Sequence, residues 1–435
     1  MADTTLNEVR FAGDVDIKKV EIVNTSGFGQ DITLQISSIQ VFEGVFTPFM
    51  TGTLIIDDTL DLVNLFPMVG EEFLNLEIVT PSLDRVSDGI NRSIKGLFYI
   101  YKSSDRVYLG DKRLTYKLHF ISIEGLTDIN KKISKSFQGR CSNIVENIVT
   151  SSYGLETKKR LNIEETSNSI RYVSNYWSPK VNLEYISERS TNTKGNPSYF
   201  FFENRNGFNF LTLERLALLS SDINFIYDNY TAQYSLQGRT QKEINEDYKR
   251  VEQLNIPVVY DYIDRIKGGT YASKLIGHDI LTKKYTYKNY DAFSNYKKEE
   301  HLNIKSGISS RLTVRRSDAV IFAGPKSFLN NSGYTDSTGL DFLQKRASVV
   351  GQFNSHKIEI IVPGRTDYTV GQKVNFKCYK NVPNTGKEIS QDLIDELYSG
   401  NYLISAINHF ISRTRHECHI ELIKDSLIYE LKGNT

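Results

Sequence analysis

Three groupings in this 435-residue chain have side chains that could do chemistry. Carboxylates cluster at Asp57, Asp58 and Asp61, and again at Glu71 and Glu72. A glycosidase uses such a pair, one carboxyl as acid and one as base or nucleophile. Here they sit at a strand end with no pocket-forming pattern around them, which fits a solvated turn. His416, Cys418 and His419 are zinc-type ligands by chemistry. On a strand, His416 and Cys418 would share a face and His419 would point the other way. No second ligand pair stands at zinc spacing, so the expectation is no metal. Gly27-Phe28-Gly29 begins like a dinucleotide-binding loop, but Ile32 occupies the place of the third glycine and the fingerprint fails. Gly-x-Ser-x-Gly, a phosphate-binding glycine loop and His-Glu-x-x-His are all missing from the sequence. The expectation is a chain with no catalytic residues and no cofactor.

Composition narrows the class further. Formal net charge is +1, so there is no basic excess of the kind a nucleic-acid binder carries. Cys141, Cys378 and Cys418 are too few for a disulfide framework and fit a reducing compartment. No apolar run reaches membrane-spanning length and the N-terminus has no signal-peptide core. These features predict a folded protein made in a cytoplasm, with no membrane anchor and no sequence-specific nucleic-acid partner. Tyrosine, at 26 residues, suits both interfaces and β-rich cores.

The elements follow from periodicity. Ile32, Leu34 and Ile36, then Leu74, Leu76 and Ile78, then Leu114, Tyr116, Leu118 and Phe120 alternate with polar residues. Period two of this kind predicts half-buried antiparallel strands as far as Glu124. Ile144/Ile148 and Val145/Val149 then recur at helical spacing, with Ser142 as a candidate cap. Ser178-Pro179 predicts another helix start. Further helices are expected over 241–253, 258–267 and about 340–350, before strands return in KIEIIVPG, GQKVNFK, NYLISAINHFI and HECHIELI.

One stretch stands apart, Ser198-Tyr199-Phe200-Phe201-Phe202-Glu203-Asn204-Arg205-Asn206-Gly207-Phe208-Asn209-Phe210. Asn206-Gly207 supplies the positive φ that a tight reversal needs, so a β-hairpin is predicted. Phe200 and Phe202 would face one side and Phe201 the other. Both faces then need cover, which puts the hairpin at a junction between two packed bodies.

The two β regions share an order of landmarks. Gly70, Gly96 and Arg113 precede or open successive strands in the first, and Gly371, Gly400 and Arg415 do so in the last. The offsets are 301, 304 and 302 residues (371 − 70, 400 − 96, 415 − 113). A near-constant offset points to an internal duplication of one β unit.

At this point the chain resembles a known family, the baseplate hub of contractile-tailed, T-even-like phages, which adapts the tail tube to the central spike. FMTGTLIIDDTLDLVNLFPMVGEEFLNLEI, SYFFFENRNGFNFLTLERL, GTYASKLIGHDILTKKY and SGNYLISAINHFISRTRHECHIELIKDSL carry the resemblance. It implies an α+β, β-rich fold with two similar antiparallel β-barrel tube domains and two mixed α/β outer domains. The implied boundaries are 1–124 for the first barrel and 125–197 for one outer domain. Residues 198–250 with 352–435 would form the second barrel, and 251–351 an inserted outer domain. It further implies a homotrimer of six similar barrels in the tail baseplate of a virion, assembled in the host cytoplasm. The implied partners are a central spike protein, here a separate chain, and tube or tube-initiator rings, with the tape-measure protein and baseplate wedge as further candidates. The readings set against it are a tail-associated cell-wall hydrolase, a carbohydrate-binding tail protein and the hub of a phage-derived injection machine.

Overall fold

The structure is a computed structural model. It describes residues 9–60, 62, 66, 68, 70–83, 91–110, 113–228, 240–258, 261–279, 283–307, 316–323, 342–380 and 394–429. Asp61 and Leu340 lie outside the described residues.

Two of the three alternating segments, around residues 74–78 and 114–120, are strands with their apolar members buried. The third is not: Thr33–Gln35 is a 3-10 turn that leaves Leu34 86% exposed between the buried Ile32 and Ile36. The first part holds β1 (Asp16–Val23), β2 (Gly29–Asp31), β3 (Ile36–Gly44), β4 (Thr51–Asp58), β5 (Phe73–Val79), β6 (Ile94–Tyr108) and β7 (Leu114–Ser122). A middle body follows with β8 (Ile133–Arg140), β9 (Leu161–Ile163) and β10 (Ser169–Trp177), and with helices Ile123–Asn130, Cys141–Thr150 and Pro179–Ser187. Next come β11 (Tyr199–Asn204), β12 (Gly207–Thr212), β13 (Ile223–Tyr227) and β14 (Gln253–Val258). A small sheet holds β15 (Ala272–Asp279), β16 (Lys284–Asp291) and, after the short β17 (Lys305–Ser306), β18 (Arg316–Ala323). After helix Leu343–Phe353 the chain ends with β19 (His356–Pro363), β20 (Lys373–Cys378), β21 (Gly400–Ser412), β22 (His416–Lys424) and β23 (Ser426–Leu427).

Thirteen strands belong to one continuous sheet. Its first half runs β3-β4-β7-β6-β5-β1-β2 and its second runs β14-β19-β22-β21-β20-β13. Taken in chain order, the two halves repeat one arrangement, with β3, β4, β5, β6 and β7 matched by β14, β19, β20, β21 and β22. The registers agree in detail. Ile100 faces Phe120, then β6 skips Tyr101 before Lys102 faces His119. Ile404 faces Leu422, then β21 skips Ser405 before Ala406 faces Glu421. A β-bulge stands at the same place in both copies, a device that locks register locally. The outermost strands differ, since β1 runs antiparallel to β5 whereas β13 runs parallel to β20.

The halves meet where β3 pairs with β21 from Ala406–Gly44 to Ser412–Ser38. Side chains cross this seam: Ile411 of β21 is buried in the first-half core and Val45, just after β3, in the second-half core. A third core belongs to the middle body, built on Ile144, Val145, Ile148 and Val149 of one helix and on Leu183 and Ile186 of another.

Local details depart from the sequence reading. Ser142 does not cap its helix, which begins at Cys141; the Ser142 amide instead donates to the Thr166 hydroxyl at 3.0 Å. Ser178 does cap, accepting from the Val181 amide with Pro179 in the first turn. The helix expected over 241–253 stops at Asp247, because Gln253 onward is drawn into the sheet beside β19. The next covers only Tyr262–Lys267, and the last is Leu343–Phe353. No helix among the described residues is long and apolar enough to cross a membrane.

Candidate functional site

Three of the clustered carboxylates, Asp57, Asp58 and Glu72, hold local contacts. Asp57 accepts from Arg113 at 2.7 Å and Thr115 at 3.0 Å, and these contacts hold its carboxyl below the usual range against the opposing effect of burial. Asp58 accepts from the amides of Leu60 and Leu62, and Glu72 from the amide of Gly70. They shape the turns after β4 and before β5.

The aromatic hairpin is β11 and β12, in register with Phe201 facing Phe210 and Asn204 facing Gly207. Arg205 and Asn206 therefore occupy the centre of the turn. Only Gly207 has a positive φ, at 121°, and Asn206 does not, which corrects the expected turn chemistry. A Cβ on Gly207 would lie 2.2 Å from the Arg160 carbonyl, so the position needs glycine for space as well as for conformation. β12 also pairs in parallel with β9, which ties the hairpin to the middle body.

The two faces meet different cores. Phe202, 1% exposed, is part of the second-half core, and Phe200 packs against it. Phe201, 9% exposed, lies in the middle-body core with Phe208 and Phe210. Phe201 stacks on Phe208 with centroids 5.2 Å apart and planes within 9°. The loop after β3 reaches in from the first half: Phe46 meets Phe200 edge-on at 4.9 Å, and Phe49 meets Phe208 at 6.4 Å. Three packed bodies touch one hairpin.

Polar side chains at its tip fix this contact. Glu203, buried, accepts from the Met50 amide at 2.9 Å and from Lys159 at 2.6 Å. Lys159 also reaches Glu124 at 2.6 Å. Burial pushes the Glu203 carboxyl up against the pull of Lys159, while the two carboxylates raise Lys159 in spite of its burial. Glu43, buried on β3, accepts from the amides of Arg205 at 3.1 Å and Val370 at 3.2 Å, and from the Thr369 hydroxyl. Arg205 donates to the carbonyls of Asn91 in the first half and Asp367 in the second. Each buried charge thus has partners on more than one body, as buried charges require.

The landmarks lie beside strands that hold the same place in the two halves, but Gly70 and Gly371 are one residue out of step, since the Ile100 amide donates to the Glu72 carbonyl and the matching Ile404 amide to the Gln372 carbonyl. Gly70 and Gly371 precede β5 and β20 with φ of 94° and 83°. Gly96 faces Leu76 and Gly400 faces Phe376. Arg113 precedes β7 and binds Asp57; Arg415 precedes β22 and binds Glu252.

His416 and Cys418 do share a buried face, with His419 turned outward. The structure adds a residue that sequence spacing missed: His409 of β21 lies directly across from Cys418. The three form a buried cluster.

No protein-family model matches this chain, and no curated protein matches it in sequence. Solved structures do match in fold. A tail protein from Neisseria meningitidis MC58 aligns over 94% of this chain and 96% of its own, at 9% identity and a TM-score of 0.54. The 43 kDa tail protein of prophage MuSo2 from Shewanella oneidensis aligns over 94% and 99%, at 8% identity and a TM-score of 0.54. An Escherichia coli component of the type VI secretion system aligns over 97% and 79% at 9% identity, with a TM-score of 0.37, too low to bear on the fold. The chain has the fold of the two tail proteins over nearly its whole length.

Proposed function

We propose that this protein is a structural hub of a contractile tail, a homotrimeric ring whose six similar β units adapt a sixfold tube to a threefold spike. The observation that carries the reading is the duplicated strand order with one seam inside the chain. Three chains with two copies each make six positions, and closed rings are built by repeating one contact. Inside the chain that contact is β3 of the first copy against β21 of the second. The matching strands on the outside are β14 and β6. β14 pairs only with β19 among the described residues. β5 accompanies β6 only as far as Tyr99. Beyond that point β6 exposes Tyr101, Val107 and Tyr108, at 51%, 51% and 76%. A strand edge without a partner is a ready template for another strand. The proposed partners are a second and third copy of the chain, a central spike and the tube rings. The setting is a virion tail or a related injection machine, and the role is structural.

Native mass and imaging test the reading. A threefold ring with an open channel is the expected outcome. Cysteines placed at Val107 and Leu254, which the transposed seam brings within about one residue of each other, should cross-link between chains and not within one. A monomer at every concentration, with no ring in the assembled particle, would refute it.

A further inference from the structure

The cluster of His409, His416 and Cys418 has no task in the adapter reading. All three side chains are completely buried. His409 Nδ1 lies 3.0 Å from His416 Nε2, and Cys418 Sγ lies 3.3 Å and 3.5 Å from the same two atoms. The point equidistant from the three is about 1.9 Å from each, worked from those distances. Zinc bonds run to about 2.0–2.1 Å for imidazole nitrogen and about 2.3 Å for thiolate. The three atoms are therefore close enough together to meet a single ion at such distances.

Packing alone does not call for these residues. In the first half, the register positions of His416 and Cys418 are filled by Leu114 and Tyr116, both buried in an apolar core. The same strand therefore folds there without imidazole or thiol. In the second half the backbone is shaped around the ring: a Cβ on Gly364 would lie 2.3 Å from His416 Cγ. Of the nitrogens on the far sides, His416 Nδ1 has no hydrogen-bond partner among the described residues, whereas the His409 ring has the Tyr368 backbone beside it. If both inner nitrogens turn lone pairs to an ion, these outer nitrogens carry the ring protons. Without an ion, at least one inner nitrogen facing another acceptor must hold a proton instead. A Cys–His pair can also be catalytic, but this thiol is sealed from any substrate.

We propose that His409 Nδ1, His416 Nε2 and Cys418 Sγ bind one thiophilic divalent transition-metal ion, zinc being the expected one, as a structural clamp at the seam. Binding replaces the thiol proton: the S–H bond breaks, the sulfur keeps the electron pair and bonds the metal, and the proton leaves to solvent. Neither metal nor protein changes oxidation state. The clamp ties β21, which lies against β3 at this point, to β22. The His416 backbone extends it, since its amide donates to the Gly13 carbonyl and its carbonyl accepts from the Gly364 amide, each at 2.8 Å. Two imidazoles and one thiolate also suit copper, which the test separates by colour.

The full-length protein is purified without chelator, and its metal content is measured by mass spectrometry. One zinc per chain is expected in the wild type and in His419→Gln, with loss of nearly all of it in Cys418→Ser and His409→Ala. Refolding in cobalt should give a thiolate-to-cobalt charge-transfer band and intense visible bands that Cys418→Ser lacks. Copper would instead give a strongly coloured protein as purified. If the variants fail to fold, the wild-type cobalt spectrum decides. A natively folded wild type with no metal and no cobalt band, or metal retained by Cys418→Ser, overturns the proposal. Neither result depends on whether the chain forms a ring.

Discussion

Truncating the hairpin phenylalanines tests whether β11 and β12 brace two bodies or merely lie between them. Phe202→Ala removes a ring that is 1% exposed in the second-half core. The lost apolar burial is on the order of 100 Å², or about 2.5 kcal/mol at about 25 cal/mol per Å². Incomplete collapse of the cavity adds about 1–2 kcal/mol. The total is about 4 kcal/mol. Phe201→Ala should cost nearly as much, and Phe200→Ala, half-buried against Phe46 and Arg346, about 1 kcal/mol. Trp177, the only tryptophan, packs against the middle-body core that holds Phe201 and not against the core that holds Phe202. Its fluorescence therefore reports one body while far-ultraviolet circular dichroism reports mainly the sheet. With a urea m-value of about 3 kcal/mol/M, Phe202→Ala should lower both midpoints by roughly 1.3 M. If Phe202→Ala shifts the dichroism and leaves the Trp177 transition in place, the bodies unfold independently and the brace does not exist.

Lys159→Met should destabilise by about 2–3 kcal/mol in the same assay, below the usual cost of breaking a buried pair because about a third of Lys159 is exposed; adding Glu203→Gln should recover part of the loss, and additive effects would refute the coupling. Gly52→Ala should cost about 3 kcal/mol or prevent folding, because its Cβ would meet the Gln40 carbonyl at 2.4 Å and Phe120 Cζ at 2.1 Å; a stable, soluble variant would show that β3 and β4 can move apart. Glu214 is pushed up to about 7, chiefly by burial. A raised carboxyl stabilises the fold below its unfolded pKa of about 4.5, and this contribution is lost as pH rises through about 7. Wild type should lose about 3 kcal/mol more than Glu214→Gln between pH 4 and pH 8, and parallel pH profiles would contradict this. Purified protein should not clear a cell-wall suspension; turnover abolished by Asp57→Asn would restore the hydrolase reading.

Periodicity revealed most strands and the two-faced logic of the hairpin, because alternation is a property of local chain geometry. What it left out depends on neighbours distant in sequence. Residues 248–253 look like a continuation of helix Gln241–Asp247, and the sheet takes them because β19 offers a partner. The turn centres on Arg205-Asn206, one residue before the Asn-Gly pair, and Gly207 lies where the Arg160 carbonyl leaves no room for a Cβ, a constraint set by a residue far away in sequence. His409 escaped because metal motifs are read along one strand. A hairpin reversing near Arg413-Thr414 puts 409 opposite 418, and that register was the available signal. A fixed offset near 300 links β5, β6 and β7 to their counterparts, and Leu54 of β4 to Ile360 of β19 at 306. It fails for β3, whose Ile39 corresponds to Leu254, only 215 residues on. The small sheet of β15, β16 and β18 enters the chain between β14 and β19, and everything before that insertion falls out of step.

The insertion explains an asymmetry between the inner seam and the outer edge. On β3, Phe42 and Glu43 face Asn408 and Ile407 of β21. The matching positions on β14 are Pro257 and Val258, where its pairing with β19 is irregular. Proline removes a ladder donor and belongs on edges or at bulges. An outer contact built on β14 would be shorter than the inner seam, centred on Gln253 to Ile256. It would also lack the buried carboxylate of Glu43, which on the inner side collects Thr369, Val370 and Arg205. The inner seam is then the permanent joint within the chain. In the proposed ring the outer edge would be the contact that a separate copy takes up or leaves, with Pro257 limiting indiscriminate strand addition.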